Sequence, residues 1–364
     1  MPSPLHIAQP TSLKIGFDAK RLLAGSGGLQ SYARTLILTL LKYHPDHQYY
    51  LYTPEVKDQR VLAELLAFEQ VKLRQPSGLS AAHWRTKSIV KDLINDEVNI
   101  YHGLSGELPI GINSVGIKSA VTIHDMLWQK FPEDYNFIDR KINDWKLEGA
   151  ISRADAIISV SESTKQKLNS TDSDTQVKVI NPVVAPEFYE AADRHERDFL
   201  SAKYGINDPY ILAIGNAKGR KYISEFFRAV RPVLGDIDCL LIGQGDGNTN
   251  DLKVLSDVAY QDMPAIYRSA IACIYPSLGE GFGLPILESI KSNIPVVVQD
   301  SPPMNAFDSP LCQSCEVTDT ASAQEAMRRA LNLGSESKAI QRPSILELQQ
   351  YADAYMNTYQ ELLR

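Results

Sequence analysis

Short runs of β-branched and apolar residues alternate with longer amphipathic stretches along almost all of this 364-residue chain, and that rhythm constrains its fold more than any other feature. LKIGF, QYYLYT, NIYH, SAVTIH and AIISV recur through the first half, and YILAIG, CLLIG, LKVLSDV, AIACIYP and IPVVV through the second. Apolar runs this short, bounded by turn residues, read as strands buried on both faces, as in a parallel sheet. Helical patterns fit between them, over residues 29–42, 137–153, 224–234 and 284–291. Parallel strands need crossover connections, so the alternation predicts the α/β class with Rossmann-like sheets. At this length two domains are expected rather than one core.

Pro182, Pro186 and Pro209 interrupt the pattern and mark a junction. The expected division is a flexible N-terminus over 1–12, an N-terminal domain over 13–185, a linker region over 186–208 and a C-terminal domain over 209–343. An amphipathic helix over 344–364 is free to pack on either domain, including back on the N-terminal one. The 37 basic residues against 44 acidic ones give a net charge of −7, which disfavours a nucleic-acid partner held by general electrostatics. No run is long enough for a membrane-spanning helix, and MPSPLHIAQPTS lacks the features of a secretory signal, so a cytoplasmic protein is expected. Cys239 and Cys273 read as core, and the lone CxxC of Cys312 and Cys315 lacks the partners of a zinc site.

The segment from Ile274 to Val298, IYPSLGEGFGLPILESIKSNIPVVV, reads strand, glycine-rich loop, helix, strand. Gly279, Gly281 and Gly283 permit close backbone approach to a ligand, and Pro285 suits a first helical turn. The free N–H groups of such a helix start form an anion site, with phosphate as the natural occupant. Glu280 and Glu288 flank this start and can accept hydrogen bonds from sugar diols. Glu288, one turn into a helix, is expected to stay ionised through the positive helix end and to accept two hydrogen bonds from a ribose. Lys218, Arg220 and Lys221 follow the strand YILAIG and point to the crevice outside the strand ends. His124 and Asp125 end another strand, where a histidine either caps the strand or serves the crevice. Gly27 and Gly28 open a helix after the first strand, a phosphate-loop signal that is neither GxGxxG nor Walker-like. The DxD strings Asp172–Asp174 and Asp236–Asp238 read as turns, so no metal ligand is predicted.

Together these segments resemble glycosyltransferase family 4, whose signature YPSxxEGFGLPxLE stands here as YPSLGEGFGLPILE. GLQSYARTL, IYHGLSGELP, VTIHDMLW and RADAIISVSESTK agree as well, and the subgroup that reads this way is associated with mannosyl transfer in surface polysaccharide assembly. The resemblance implies a GT-B fold of two facing Rossmann-like domains with a cleft between them, the N-terminal one on the acceptor side and the C-terminal one binding the donor nucleotide sugar, and retaining transfer from a nucleotide-diphosphate sugar. It implies His124, Glu280, Arg220 and Lys221 as catalytic residues. Donor-binding residues would be Gly27, Gly28, Asn216, Gly281, Phe282, Gly283, Leu284 and Glu288. Neither metal nor cofactor is expected beyond the donor substrate; the expected partners are that donor and a glycan or glycolipid acceptor, with peripheral association at the inner membrane's cytoplasmic face compatible. Two departures stand out: Asn216 replaces an arginine common in the family, and NPVVAP replaces the usual linker string. A nucleotide-sugar 2-epimerase or hydrolase of the same architecture, and a non-catalytic nucleotide-sugar-binding partner, are the alternatives.

Overall fold

A computed structural model of the chain describes residues 12–25, 27–78, 80–169, 176–190, 193, 195–207, 209–245, 252–335 and 345–364. Among these residues the apolar runs form two sheets. The first contains β1 (Lys14–Asp18), β2 (Gln48–Tyr52), β3 (Val71–Arg74), β4 (Ile100–Gly103), β5 (Lys118–Ile123), β6 (Ala156–Ser159) and β7 (Val177–Val179). Their order is β3-β2-β1-β4-β5-β6-β7, and every neighbouring pair is parallel. The second contains β8 (Tyr210–Asn216), β9 (Asp238–Gln244), β10 (Leu252–Leu255), β11 (Ala272–Tyr275), β12 (Val296–Gln299) and β13 (Cys312–Cys315), in the order β10-β9-β8-β11-β12-β13, again all parallel. In each sheet the chain winds outward to one edge, returns to the middle and winds the other way. The direction reverses between β1 and β4 in the first sheet and between β8 and β11 in the second, and ligands of doubly wound folds bind at such switch points.

The near-continuous apolar runs follow from burial of both faces. In the second sheet Leu212, Leu240, Cys273, Val296 and Val298 pack into one core, while Ile211, Ala213, Leu241, Ile274 and Val297 pack into another on the opposite face. The same alternation disposes of the CxxC pair. Cys312 packs against the first of these cores and Cys315 lies in the second, so both remain free thiols.

The chain divides into two compact units: Met1–His124 with Lys141–Asn181 and Leu346–Arg364, and Asp125–Arg140 with Pro182–Ile345. Two differences from the sequence reading follow, and the open position of the terminal helix is decided. The stretch read as a linker over 186–208 is folded: Pro186–Tyr189 forms a 3-10 turn, Glu196–Tyr204 a helix, and Phe188, Tyr189 and Leu200 enter the second unit's core. Asp125–Arg140, read as part of the N-terminal domain, groups with the second unit because Leu127 and Phe131 pack near Gly279 and Lys130 Nζ donates to Leu278 O at 3.1 Å. The Ile345–Leu362 helix buries Tyr351, Tyr355 and Tyr359 in the first unit. There the Tyr355 hydroxyl meets that of Tyr32 at 2.7 Å, and Tyr359 meets His102 Nδ1 at 2.7 Å. Residues 1–11 and Asp172–Asp174 lie outside the described residues, whereas Asp236 falls in a turn and Asp238 begins β9.

Candidate active site

At the switch point of the second sheet, the loops after β8 and β11 are laced together. After β8 the chain turns through Gly219–Lys221, with Gly219 at φ +69° and Tyr222 at φ +53°, before the Ile223–Leu234 helix. Leu278 N then donates to Arg220 O at 2.8 Å, tying this turn to the glycine-rich loop. Lys221 Nζ donates to Glu280 Oε1 and to the Tyr275 hydroxyl, each at 2.7 Å. Ser277 Oγ donates to the same Glu280 oxygen at 2.5 Å. Burial works against an ionised Glu280, but the charges of Lys221 and Arg220 prevail and hold its carboxyl below the usual value. The Arg220 Nε is buried without a hydrogen-bond partner among the described residues, so its guanidinium retains donor capacity.

The glycine-rich loop ends at Gly283, whose φ of +108° favours glycine, and the Leu284–Lys291 helix follows with Pro285 in its first turn. Gly279 is confined differently: a Cβ there would lie 2.3 Å from the Phe131 ring. Phe282 packs edge-on against Phe307 with ring centroids 5.4 Å apart, which fixes the loop from its apolar side. Asn216 is the exposed last residue of β8, beside the cationic turn.

Glu288 corrects the sequence reading. It is only 6% exposed, and burial raises its carboxyl to about 7 despite a hydrogen bond from the Tyr267 hydroxyl to Oε2 at 2.7 Å. Desolvation therefore outweighs the helix end that was expected to keep it ionised. With Tyr267 on Oε2, the expected pair of ribose hydrogen bonds also has to share an oxygen already in use.

Gly27, Gly28 and His124 belong to the first unit, whereas Asn216, Arg220, Lys221, Glu280, Gly281, Phe282, Gly283, Leu284 and Glu288 belong to the second. Gly27, at φ +70°, caps the Gly28–Tyr43 helix, and nothing lies within 4 Å of where its Cβ would be. His124 follows β5 directly; its Nε2 donates to Leu104 O at 2.8 Å and its ring meets Tyr32 edge-on at 4.6 Å. Sequence reasoning passed over Tyr275, Ser277 and Tyr267. The first two stand inside the YPS string and were legible as strand-end neighbours of the motif. Tyr267 carries no signal, because only packing of the Met263–Ser269 helix brings it to Glu288.

Two family models match the chain. One, described as glycosyltransferase family 4, covers residues 26–188, and one, described as glycosyl transferases group 1, covers 208–332, together well over half of the sequence. The O-antigen chain mannosyltransferase RfbU of Salmonella typhimurium is 26% identical over 50% of this chain and 52% of its own length. The O-antigen chain mannosyltransferase B of Escherichia coli is 27% identical over 54% of this chain and 56% of its own. The matches thus span about half the length of these curated relatives. Among solved structures, HepE of Anabaena, crystallised with UDP and glucose, superposes with a TM-score of 0.67 at 15% identity over 95% of this chain and 99% of that one. WaaG, a glycosyltransferase involved in lipopolysaccharide biosynthesis, superposes with a TM-score of 0.63 at 15% identity over 94% and 95% of the two chains. The signature loop, the two doubly wound sheets and both family models agree: this chain belongs to glycosyltransferase family 4, has the GT-B type of α/β fold, and is similar to O-antigen mannosyltransferases.

Proposed function

We propose that this chain is a retaining glycosyltransferase that moves a hexosyl group, mannosyl from GDP-mannose, to a glycan or glycolipid acceptor in surface polysaccharide or lipopolysaccharide synthesis. The observation that carries this reading is the laced set of Arg220, Lys221 and Glu280 at the switch point of the second sheet. The choice of mannose is supported by the mannosyltransferases of surface polysaccharide to which the chain is similar. In the reaction the glycosyl–phosphate bond breaks, the acceptor oxygen bonds to the anomeric carbon from the face the diphosphate leaves, and the acceptor's proton goes to the departing diphosphate. Negative charge gathers on that leaving group. Arg220 and Lys221 offset it, which is the kind of preorganised stabilisation that lowers such barriers most. Glu280 fixes Lys221 and accepts sugar hydroxyls, and Glu288 and the Gly281–Leu284 backbone hold the nucleotide. No metal or other cofactor takes part, because the two cations supply the charge neutralisation. The protein acts in the cytoplasm, at the inner face of the membrane.

Incubation with GDP-mannose, UDP-glucose, UDP-N-acetylglucosamine and UDP-galactose, with and without acceptor glycans, tests the reading through release of free nucleotide diphosphate. Acceptor-dependent release from GDP-mannose, undiminished by excess EDTA, is expected. Loss of turnover on chelation, restored by magnesium or manganese, contradicts the metal-free mechanism, and release of a free 2-epimeric sugar favours the epimerase.

A further inference from the structure

Tyr355 and Tyr359 stand one turn apart on the Ile345–Leu362 helix, and each ends a run of buried hydrogen bonds inside the first unit. The Tyr359 hydroxyl meets His102 Nδ1 at 2.7 Å, and the other ring nitrogen of His102 meets Thr122 Oγ1 at 2.8 Å. The Tyr32 hydroxyl lies 2.9 Å from the same Thr122 oxygen and 2.7 Å from the Tyr355 hydroxyl. Burial keeps His102 neutral, so it brings one N–H and one bare nitrogen. Tyr32, Thr122 and His102 therefore each donate once and accept once, and the run is satisfied whichever way its bonds point.

Tyr32 joins this run to His124. Its hydroxyl is fastened to Tyr355 and to Thr122, two residues before His124, while its ring meets the His124 imidazole edge-on at 4.6 Å and 87°. His124 Nε2 donates to Leu104 O at 2.8 Å, and because a carbonyl only accepts, this bond places a proton on Nε2. That bond alone leaves the ring plane able to swing. The edge-on contact limits the swing only as far as Tyr32 is itself fixed. We propose that Tyr32 and Tyr355 are positioning residues: the Tyr355 hydroxyl fixes the Tyr32 ring, and the Tyr32 ring sets the orientation of the His124 imidazole. The family resemblance implies His124 as a catalytic residue, so the consequence for turnover rests on the transferase reading above; the orientation of the ring does not.

Tyr355→Phe and Tyr359→Phe on the full chain separate positioning from mere stability. In Tyr355→Phe the remaining bonds can all be made, with Tyr32 donating to Thr122, Thr122 to His102 Nε2 and His102 Nδ1 to Tyr359, so the melting curve should hardly move. Its kcat should nevertheless fall roughly tenfold while the donor KM stays within about twofold. Tyr359→Phe leaves Tyr32 fastened but deprives a buried imidazole nitrogen of its partner, so it should lower the melting temperature and leave kcat within about twofold. In a Tyr32→Phe background, Tyr355→Phe should cost no further turnover, since it acts through the hydroxyl already removed. Imidazole 1H–15N NMR, with the His124 signals assigned by their loss in His124→Gln, reads the ring directly: Tyr355→Phe and Tyr32→Leu should each shift them. Unmoved His124 signals overturn the proposal. So does a kcat for Tyr355→Phe equal to that of the unmodified protein, or turnover that follows stability alike in Tyr355→Phe and Tyr359→Phe. If the unmodified protein turns over no sugar nucleotide, the transferase reading fails, and the NMR shifts by themselves uphold or overturn the positioning.

Discussion

Lys221 and Glu280 share one short hydrogen bond at side-chain exposures of 16% and 12%, so removal of either leaves the other charged and largely desolvated. Lys221→Ala is therefore expected to lower thermal stability as well as turnover, because breaking a buried pair from one side costs up to about 3 kcal/mol at this exposure. Arg220→Ala is the cleaner substitution: turnover should fall by roughly two orders of magnitude or more, the ~2.7–4 kcal/mol typical of a lost transition-state donor, with an unchanged melting curve. Steady-state assays beside calorimetric melts separate the two. Glu288 gives a pH signature. Its folded-state pKa of about 7 lies above the ordinary 4.5, so the folded protein binds more protons than the unfolded chain between these values. Its contribution to stability is full below about 4.5 and is lost as pH rises through about 7, a change of about 3 kcal/mol. Urea unfolding from pH 5 to pH 8 should show this fall in the unmodified protein and a flatter profile in Glu288→Gln. Nucleotide affinity should run the other way, rising with pH as the carboxylate becomes the acceptor, and Glu288→Gln should bind GDP about one to two orders of magnitude more weakly at pH 8.

At the scale of elements, the site depends on how closely strand ends and loops approach one another. Gly243 at the end of β9 lies beside Gly215 at the end of β8, and a Cβ at Gly243 would meet Gly215 O at 1.9 Å with φ at +146°. Gly243→Ala has no flexible side chain to displace, only backbone. It is expected to destabilise the second unit by about 3 kcal/mol, combining strain and a broken ladder, read as a lowered urea midpoint. Gly279→Ala meets the Phe131 ring instead, which can shift. The expected result is a modest loss of stability together with a larger loss of turnover, since the loop that carries Glu280 must move with it. The glycines of the signature were legible in the sequence as positions of close approach. What they approach was not, because Phe131 is separated from Gly279 by almost 150 residues and lies in a segment the sequence reading placed in the other domain.

For the whole molecule, the Ile345–Leu362 helix completes the first unit rather than extending the second. Tyr359 satisfies one nitrogen of fully buried His102, whose other nitrogen meets Thr122 at 2.8 Å; burial, with His124 nearby, keeps His102 neutral by lowering its pKa to about 3. Tyr359→Phe should cost about 1–3 kcal/mol by leaving a buried imidazole nitrogen unpaired, and hydrogen exchange should locate the loosening in β4 and β5 rather than in β8–β13. Apolar periodicity alone determined the α/β class and the two sheets, because a strand buried on both faces can be made from few other patterns. The GEGFGLPILE string likewise fixed the glycine loop, the helix start and Glu280 beside it, since those features are local in the chain. Tertiary structure decided the rest. Whether Glu288 is charged, which oxygen Lys221 holds, where residues 125–140 and the terminal helix belong, and that Tyr32 and His102 meet that helix's tyrosines all depend on desolvation and on contacts between residues far apart in sequence. Neither quantity is written in any single segment of the chain.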